Sequence, residues 1–356
     1  MNKPFSDLVV VELAGVLAGP SAGLFFAELG ARVIKIENPK TQGDVTRSWK
    51  STSESKENST SAYYWSVNVG KEILFLDLTS TKDLEEFYNL IKTADVLISN
   101  YKLGDDLKLK VDYQTLQQIN SQLIYASVNG FGAQSPRTAY DLILQAESGF
   151  MFMNGEKNSP PLKMPVALID LLAGHQLKEA ILVALLKKYK TQKGSHLSVS
   201  LFDSALASLA NQATNWLIAH QLPLAQGSLH PNIAPYGEIF LTKDQHHVTF
   251  AIGNNIQFKN LCLILGIELY NDETYITNQQ RVLNREAMYE VLEKKIKLFS
   301  FEDLFALCLR SDVPIGKIRN LKEVFSLPEA QHMLQYFQDN NINLTAVKSV
   351  AFQFLK

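Results

Sequence analysis

Cysteine is nearly absent: the chain carries Cys262 and Cys308 in 356 residues. Both sit in apolar, helix-like stretches. They read as small core side chains in a reducing compartment, which excludes a disulfide or thiolate–metal framework. Net charge is scarce too. A balance of −2 supplies no general pull toward nucleic acid or an anionic membrane. No run reaches the roughly 18 apolar residues of a membrane span. Met1-Asn2-Lys3-Pro4-Phe5 leads into a strand without the apolar stretch of a signal peptide, so the expected location is the cytoplasm. There is no G-x-S-x-G, no P-loop and no Cys–His pairing in a catalytic context. The histidines at 175, 196, 220, 230, 246, 247 and 332 show no metal-ligand spacing. Hydrolase, kinase and metalloenzyme readings therefore lack support, and no metal is expected.

What is present is ordinary globular composition, 46% hydrophobic and 20% charged, over a length that holds one large domain or two of moderate size. Residues 8–13, 32–36, 73–78, 96–98, 123–128 and 196–201 read as strands. Residues 21–29, 81–93 and 113–120 read as intervening helices. This alternation predicts a parallel sheet with helices on both faces. Helices are also predicted over 172–189 and 203–220, and residues 51–61 read as a polar surface loop. Pro223, Gly227, Pro231 and Pro235 mark a linker. Beyond it, 236–241 and 247–252 form a hairpin pair, and helical stretches follow at 256–265, 284–297 and 301–310, with Asn284 as an N-cap. This second block reads as a smaller α+β domain.

Asp170 stands out. It lies in the nearly unbroken apolar run 165–174, where a strand-like stretch turns into a helix. A carboxylate there is placed to cap the helix. It is also partly desolvated, which makes it a better nucleophile or base than one in water. The first βα turn, residues 14–20, is not G-x-G-x-x-G, and Pro20 removes an amide that a pyrophosphate would need, which argues against NAD. The turn is either a tight βα connection or an amide-lined place for a phosphate or pantetheine. Arg47, Lys71, Lys102 and Lys108 flank loops at candidate strand ends, where basic side chains can hold an anionic phosphate.

Several segments, in order, resemble the family III coenzyme A transferases (the CaiB/BaiF type, grouped with alpha-methylacyl-CoA racemase). They are Val10 to Pro20 with Leu29 to Glu37, Gly43-Asp44-Val45-Thr46-Arg47, Asn68 to Lys71, Ala94 to Lys102, Gly130-Phe131-Gly132, Tyr140 to Ala146 with Ser148-Gly149, and the run around Asp170. Asn232 to Gly237, Gly253 to Phe258 and Val313 to Gly316 extend the likeness, which covers roughly residues 5 to 332.

The resemblance implies a CoA-transferase that moves CoA from an acyl-CoA donor to a carboxylic acid through an aspartyl anhydride and an aspartyl-CoA thioester on Asp170. Leu17, Tyr140, Asp141, Gly253, Asn254 and Asn255 would line the substrate pocket. Ala18, Arg47, Lys71, Asn100, Tyr101, Lys102 and Lys108 would meet CoA, a substrate and not a permanent cofactor. The implied fold is α/β, a Rossmann-like large CoA-binding domain over 1–202, a linker helix over 203–229, a smaller α+β domain over 230–328 and a shortened C-terminal return over 329–356. The implied assembly is an interlocked homodimer, with no nucleic-acid or membrane partner. Racemases of the group use a histidine just before the acidic position matching Asp141 and a glutamate near Gly253. Here Tyr140 stands in the first place and no carboxylate in the second, so paired acid–base work on an α-carbon is disfavoured. A racemase and a catalytically weak acyl-CoA-binding homologue remain the alternatives.

Overall fold

The computed structural model describes residues 3–55, 58–339 and 342–354. Met1, Asn2, Lys56, Glu57, Asn340, Asn341, Leu355 and Lys356 lie outside them; Lys56 and Glu57 belong to the predicted polar loop, and the last four to the predicted return. The chain divides into two compact units: Met1–Met151, Leu162–Gln221 and His332–Lys356 form the first, and Phe152–Pro161 with Leu222–Gln331 the second. The split differs from the sequence boundaries. Residues 203–221 belong to the first unit, and the short stretch 152–161 to the second.

The first unit is built on strands β1 (Val9–Glu12), β2 (Arg32–Glu37), β3 (Glu72–Phe75), β4 (Val96–Ser99), β5 (Ile124–Asn129) and β6 (Ser195–Ser200). They pair in parallel in the order β3-β2-β1-β4-β5-β6, so the predicted α/β parallel sheet is present. Alternating residues of one strand serve opposite faces. Val10, Ile98 and Ala126 enter the core shared with Ile169, Ala173, Leu177 and Ile181. Val11, Leu97 and Tyr125 enter the core with Phe87, Ile91 and Leu116. Both faces are covered, and for that reason the strands read as apolar runs without alternation.

The helices of this unit are α1 (Ala18–Glu28), α2 (Ala62–Asn68), α3 (Thr81–Ile91), α4 (Asp105–Leu109), α5 (Tyr113–Ile119), α6 (Asp141–Glu147), α7 (Phe150–Met153, ending in the second unit), α8 (Leu168–Thr191), α9 (Leu201–Ala207) and α10 (Ala210–Leu217). The apolar run at 165–174 is not a strand; α8 begins inside it and contains Asp170. The predicted helix over 203–220 is two helices, broken where Ala210 takes a positive φ of 48°. An antiparallel pair, Leu334–Asp339 with Ile342–Val347, follows the second unit. After it the Ser349 and Val350 amides donate to the Glu28 carboxylate on α1, so residues beyond 331 rejoin the first unit.

The second unit has a three-stranded antiparallel sheet, Tyr236–Leu241, His247–Ala251 and Ile315–Lys317, with helices Asn255–Leu265, Asn278–Leu283, Arg285–Ile296 and Phe301–Arg310. Cys262 and Cys308 are buried and unbonded in its core. Asn284 precedes its helix but makes no side-chain cap bond. Its amide instead donates to the Thr274 and Gln280 carbonyls, closing the short helix at 278–283 that the sequence reading missed. No helix among the described residues is long and apolar enough to cross a membrane.

Candidate active site

In an open parallel sheet, ligands bind beyond the carboxyl ends of the strands, at the point where strand order reverses. Here β1 and β4 flank that point. The segments leaving their carboxyl ends, Gly15 to Ala18 and Ser99 to Leu103, line a cavity of about 370 Å³ together with the end of β5, the loop 133–140 and Asp170. Every lining residue belongs to the first unit.

Asp170 reaches this wall because α8 packs closely on α1. Both helices are small-residued at the contact. A Cβ on Gly174 would lie 2.1 Å from Ser21 Oγ and 3.0 Å from the Ala18 carbonyl oxygen. The glycine lets the axes approach, and Asp170, one turn earlier on α8, shares the cavity with the first turn of α1. There the N–H groups of Leu17, Ala18 and Gly19 find no acceptor among the described residues.

Asp170 does not cap α8. It is the third residue of the helix, and Asp141 performs the capping: its Oδ1 accepts from the Ile169 amide at 2.7 Å and the Asp170 amide at 3.3 Å, while Oδ2 takes the Gln145 amide group. Asp170 is 8% exposed, and its carboxylate has no hydrogen-bond partner among the described residues. Burial, and next the charge of Asp141, push its carboxyl up to about 7. That rise corresponds to roughly 4 kcal/mol. The helix N-terminal field works the other way and is worth about 0.3–2 kcal/mol, so desolvation dominates. The group is half ionised near neutrality and unencumbered when it ionises.

The turn before α1 is clamped at successive residues. Lys35 Nζ donates to the Ala14 carbonyl at 2.6 Å. Asn100 accepts from the Gly15 amide at 3.1 Å and donates to the Gly15 carbonyl at 2.9 Å. The Val16 amide donates to Asp44 Oδ2 at 3.2 Å. Val16 itself has φ 69°, a left-handed conformation rare for a β-branched residue. Beneath the turn lies a buried ionic cluster. Lys35 bridges Glu12 at 3.0 Å and Asp44 at 3.1 Å, and Lys71 pairs with Glu12 at 2.8 Å.

Of the residues singled out from sequence, Leu17, Ala18, Asn100, Tyr101, Lys102, Tyr140 and Asp170 meet at one cavity. Asp141 sits behind Asp170 as its helix cap. Burial raises the Tyr101 hydroxyl to about 12, so it stays protonated and can donate. Three expected cations are not in the wall. Lys71 has no exposed side-chain surface and donates to Glu12, Pro20 and Asn68. Arg47 turns to Glu37 at 2.6 Å and Tyr64 at 2.7 Å. Lys108 is exposed and paired with Asp105. Buried carboxylates at strand ends captured the first two, a demand no local spacing reveals.

Gly253, Asn254 and Asn255 belong to the second unit. Asn254 caps the helix at 255–265, and Asn255 accepts from the fully buried Arg281 at 2.9 Å. Sequence reasoning missed Arg137, Asn129 and His196, which also line the cavity. Arg137 pairs with Glu147 and lies 3.7 Å from the Phe131 ring centre. Its position after the Gly130-Phe131-Gly132 turn was the available signal. No group of three or more metal-ligating side chains occurs among the described residues.

Fold and cavity together define an open parallel-sheet α/β protein with a candidate active site at the strand-order reversal. The chain belongs to CoA-transferase family III, whose model matches residues 5–354; it is a CoA-transferase. It is 39% identical to the succinate–glutarate CoA-transferase of Agrobacterium fabrum over 93% of this chain and 84% of that one. It is 35% identical to the human succinyl-CoA:glutarate CoA-transferase, over 93% and 75%. The acetyl-CoA:oxalate CoA-transferase of Acetobacter aceti is also 35% identical, over 93% and 85%. A crystal structure of a CaiB/BaiF family protein from Brucella suis superposes with a TM-score of 0.83 at 37% identity, covering 99% of this chain and 93% of that one.

Proposed function

We propose that this enzyme moves CoA from an acyl-CoA to a carboxylic acid through covalent intermediates on Asp170. The observation that carries the reading is the state of that carboxylate: buried, without a partner among the described residues, and in the wall of a cavity it shares with unpaired amides. Ionised Asp170 attacks the thioester carbonyl carbon. The C–S bond breaks, leaving a mixed anhydride and the CoA thiolate. The thiolate then attacks the Asp170 carbonyl, expelling the donor acid and forming an aspartyl-CoA thioester. The acceptor carboxylate attacks that thioester and releases the thiolate again. Finally the thiolate attacks the acceptor's acyl carbon, giving the new acyl-CoA and restoring Asp170. Each step passes through an oxyanion, and free backbone amides facing it lower the barrier.

Lys102 and Arg137 supply positive charge at the cavity for the phosphates of CoA. By likeness to the relatives' named substrates, a dicarboxylic acid is the proposed acceptor. The working form is proposed to be a homodimer. Racemisation is disfavoured, since Asp141 is engaged by two backbone amides and Gln145 and neither a histidine nor a second carboxylate stands at positions 140 and 253. The test is Asp170→Asn, assayed by mass with a panel of acyl-CoA donors and acceptor acids. Turnover is expected to fall roughly a thousandfold or more. A folded variant keeping a tenth of the wild-type rate refutes the mechanism.

A further inference from the structure

We infer that Asp44 is a positioning residue for the transfer, acting through the backbone of Val16. The inference rests on the Asp170 reading and adds the device that fixes the opposing wall of the cavity.

Val16 lines the cavity at φ 69°. A valine there is strained, and it stays only if the surroundings over-determine it. Its amide has one acceptor group, the Asp44 carboxylate, 28 residues away, with Oδ2 at 3.2 Å and Oδ1 at 3.5 Å. The carboxylate is itself held from several sides. Its Oδ1 accepts from the Thr46 amide and hydroxyl, its Oδ2 pairs with buried Lys35, and its own backbone amide donates to Glu37 at 3.1 Å. Gly15 leaves room for it: a Cβ there would come within 3.3 Å of Oδ2. A rigid, desolvated carboxylate is thus aimed at one strained amide, and the residues that follow are Leu17, Ala18 and Gly19 with their unpaired N–H groups. Without Asp44, Val16 is free to relax to a negative φ, which turns the following peptide planes and moves those donors. Lys102, Arg137 and Tyr101, the groups proposed to meet CoA, make no hydrogen bond to Asp44 or Val16 among the described residues. The loss therefore falls on kcat and not on KM.

Asp44→Ala is expected to lower kcat by roughly 5- to 150-fold, the population equivalent of the strain of one such residue, with KM for the acyl-CoA changing less than about threefold. The decisive readout is coupling to Val16→Gly. Glycine populates positive φ about as readily as negative, so in that background removing Asp44 is expected to lower kcat by no more than about twofold. Asp44→Asn, with its amide oxygen toward Lys35, still accepts from Val16 and is expected to recover most of the loss. Where Asp44→Ala melts below the assay temperature, Asp44→Glu keeps the charge beside Lys35 with displaced oxygens and carries the same comparison. Folded Asp44→Ala, or Asp44→Glu in its place, with unchanged kcat overturns the inference, and so does an equal loss in the Val16 and Val16→Gly backgrounds, which would make Asp44 merely structural. The rate of covalent labelling of Asp170 separates this from the reading it rests on. Labelling in the wild type at an unchanged rate in Asp44→Ala sinks only the positioning role. No labelling in the wild type sinks the Asp170 mechanism, and the kcat coupling then decides the role of Asp44 alone.

Discussion

Asp170→Asn is expected to stabilise the first unit while it removes turnover. The unfolded carboxyl titrates near 3.8 and the folded one near 7. Between those values the folded state binds more protons than the unfolded state. Stability therefore falls as pH rises from about 4 to 7, and the full penalty is present above 7. The penalty is roughly 4 kcal/mol, an upper bound because an asparagine amide is also desolvated there without a partner, which costs about 1–3 kcal/mol. The expected net gain at pH 8 is about 1–3 kcal/mol, shrinking toward zero or below near pH 4.5, where Asp170 is neutral in the folded state and the remaining penalty is only about 1 kcal/mol. The molecule suits the assay. Trp49, Trp65 and Trp216 are all its tryptophans, and all lie in the first unit, so urea unfolding followed by tryptophan fluorescence reports on the part that carries Asp170. A stability difference that does not change between pH 4.5 and 8, or an asparagine variant less stable than wild type at pH 8, refutes the account of a desolvated, partnerless carboxylate.

Three further outcomes can be checked. Turnover should rise with pH through about 7 as Asp170 ionises, and Asp141→Asn, by removing the neighbouring charge, should move that midpoint to lower pH; an unmoved midpoint in a pH–kcat profile contradicts the assignment. Gly174→Ala should destabilise by about 1–3 kcal/mol, since its Cβ would meet Ser21 Oγ and the Ala18 carbonyl, and kcat should fall as α8 and α1 separate; a neutral variant in urea unfolding speaks against the close approach. Lys71→Met should lower stability by about 3 kcal/mol by depriving buried Glu12 of one partner, while KM for acyl-CoA stays within about twofold; a large KM rise at unchanged stability would return Lys71 to the CoA site.

Much of the sheet was legible because doubly covered strands are unbroken apolar runs and their connecting helices are short and punctuated. Val9–Glu12, Val96–Ser99 and Ile124–Asn129 all lie within two residues of their predicted spans. The candidate nucleophile was legible as a carboxylate in an apolar run. Its relation to the helix was not: Asp141 and Asp170 are equally good caps by type, and only the tertiary contact between positions 28 and 29 residues apart decides which one binds the amides. The basic residues were harder still. Lys71 and Arg47 look like ligand cations in sequence, but the buried Glu12 and Glu37 at strand ends require counter-charges, and an uncompensated buried carboxylate costs more than a solvated lysine gains. Val16 carries no signal at all, because a strained φ is a property of what surrounds the residue.

The most direct test of the central claim is to trap the enzyme during turnover. Wild-type protein incubated with an acyl-CoA and then treated with hydroxylamine or borohydride is digested and its peptides weighed. The account predicts one modified residue, Asp170, appearing only with acyl-CoA present and absent in Asp170→Asn. Modification elsewhere, or sustained transfer with Asp170 unmodified, contradicts it.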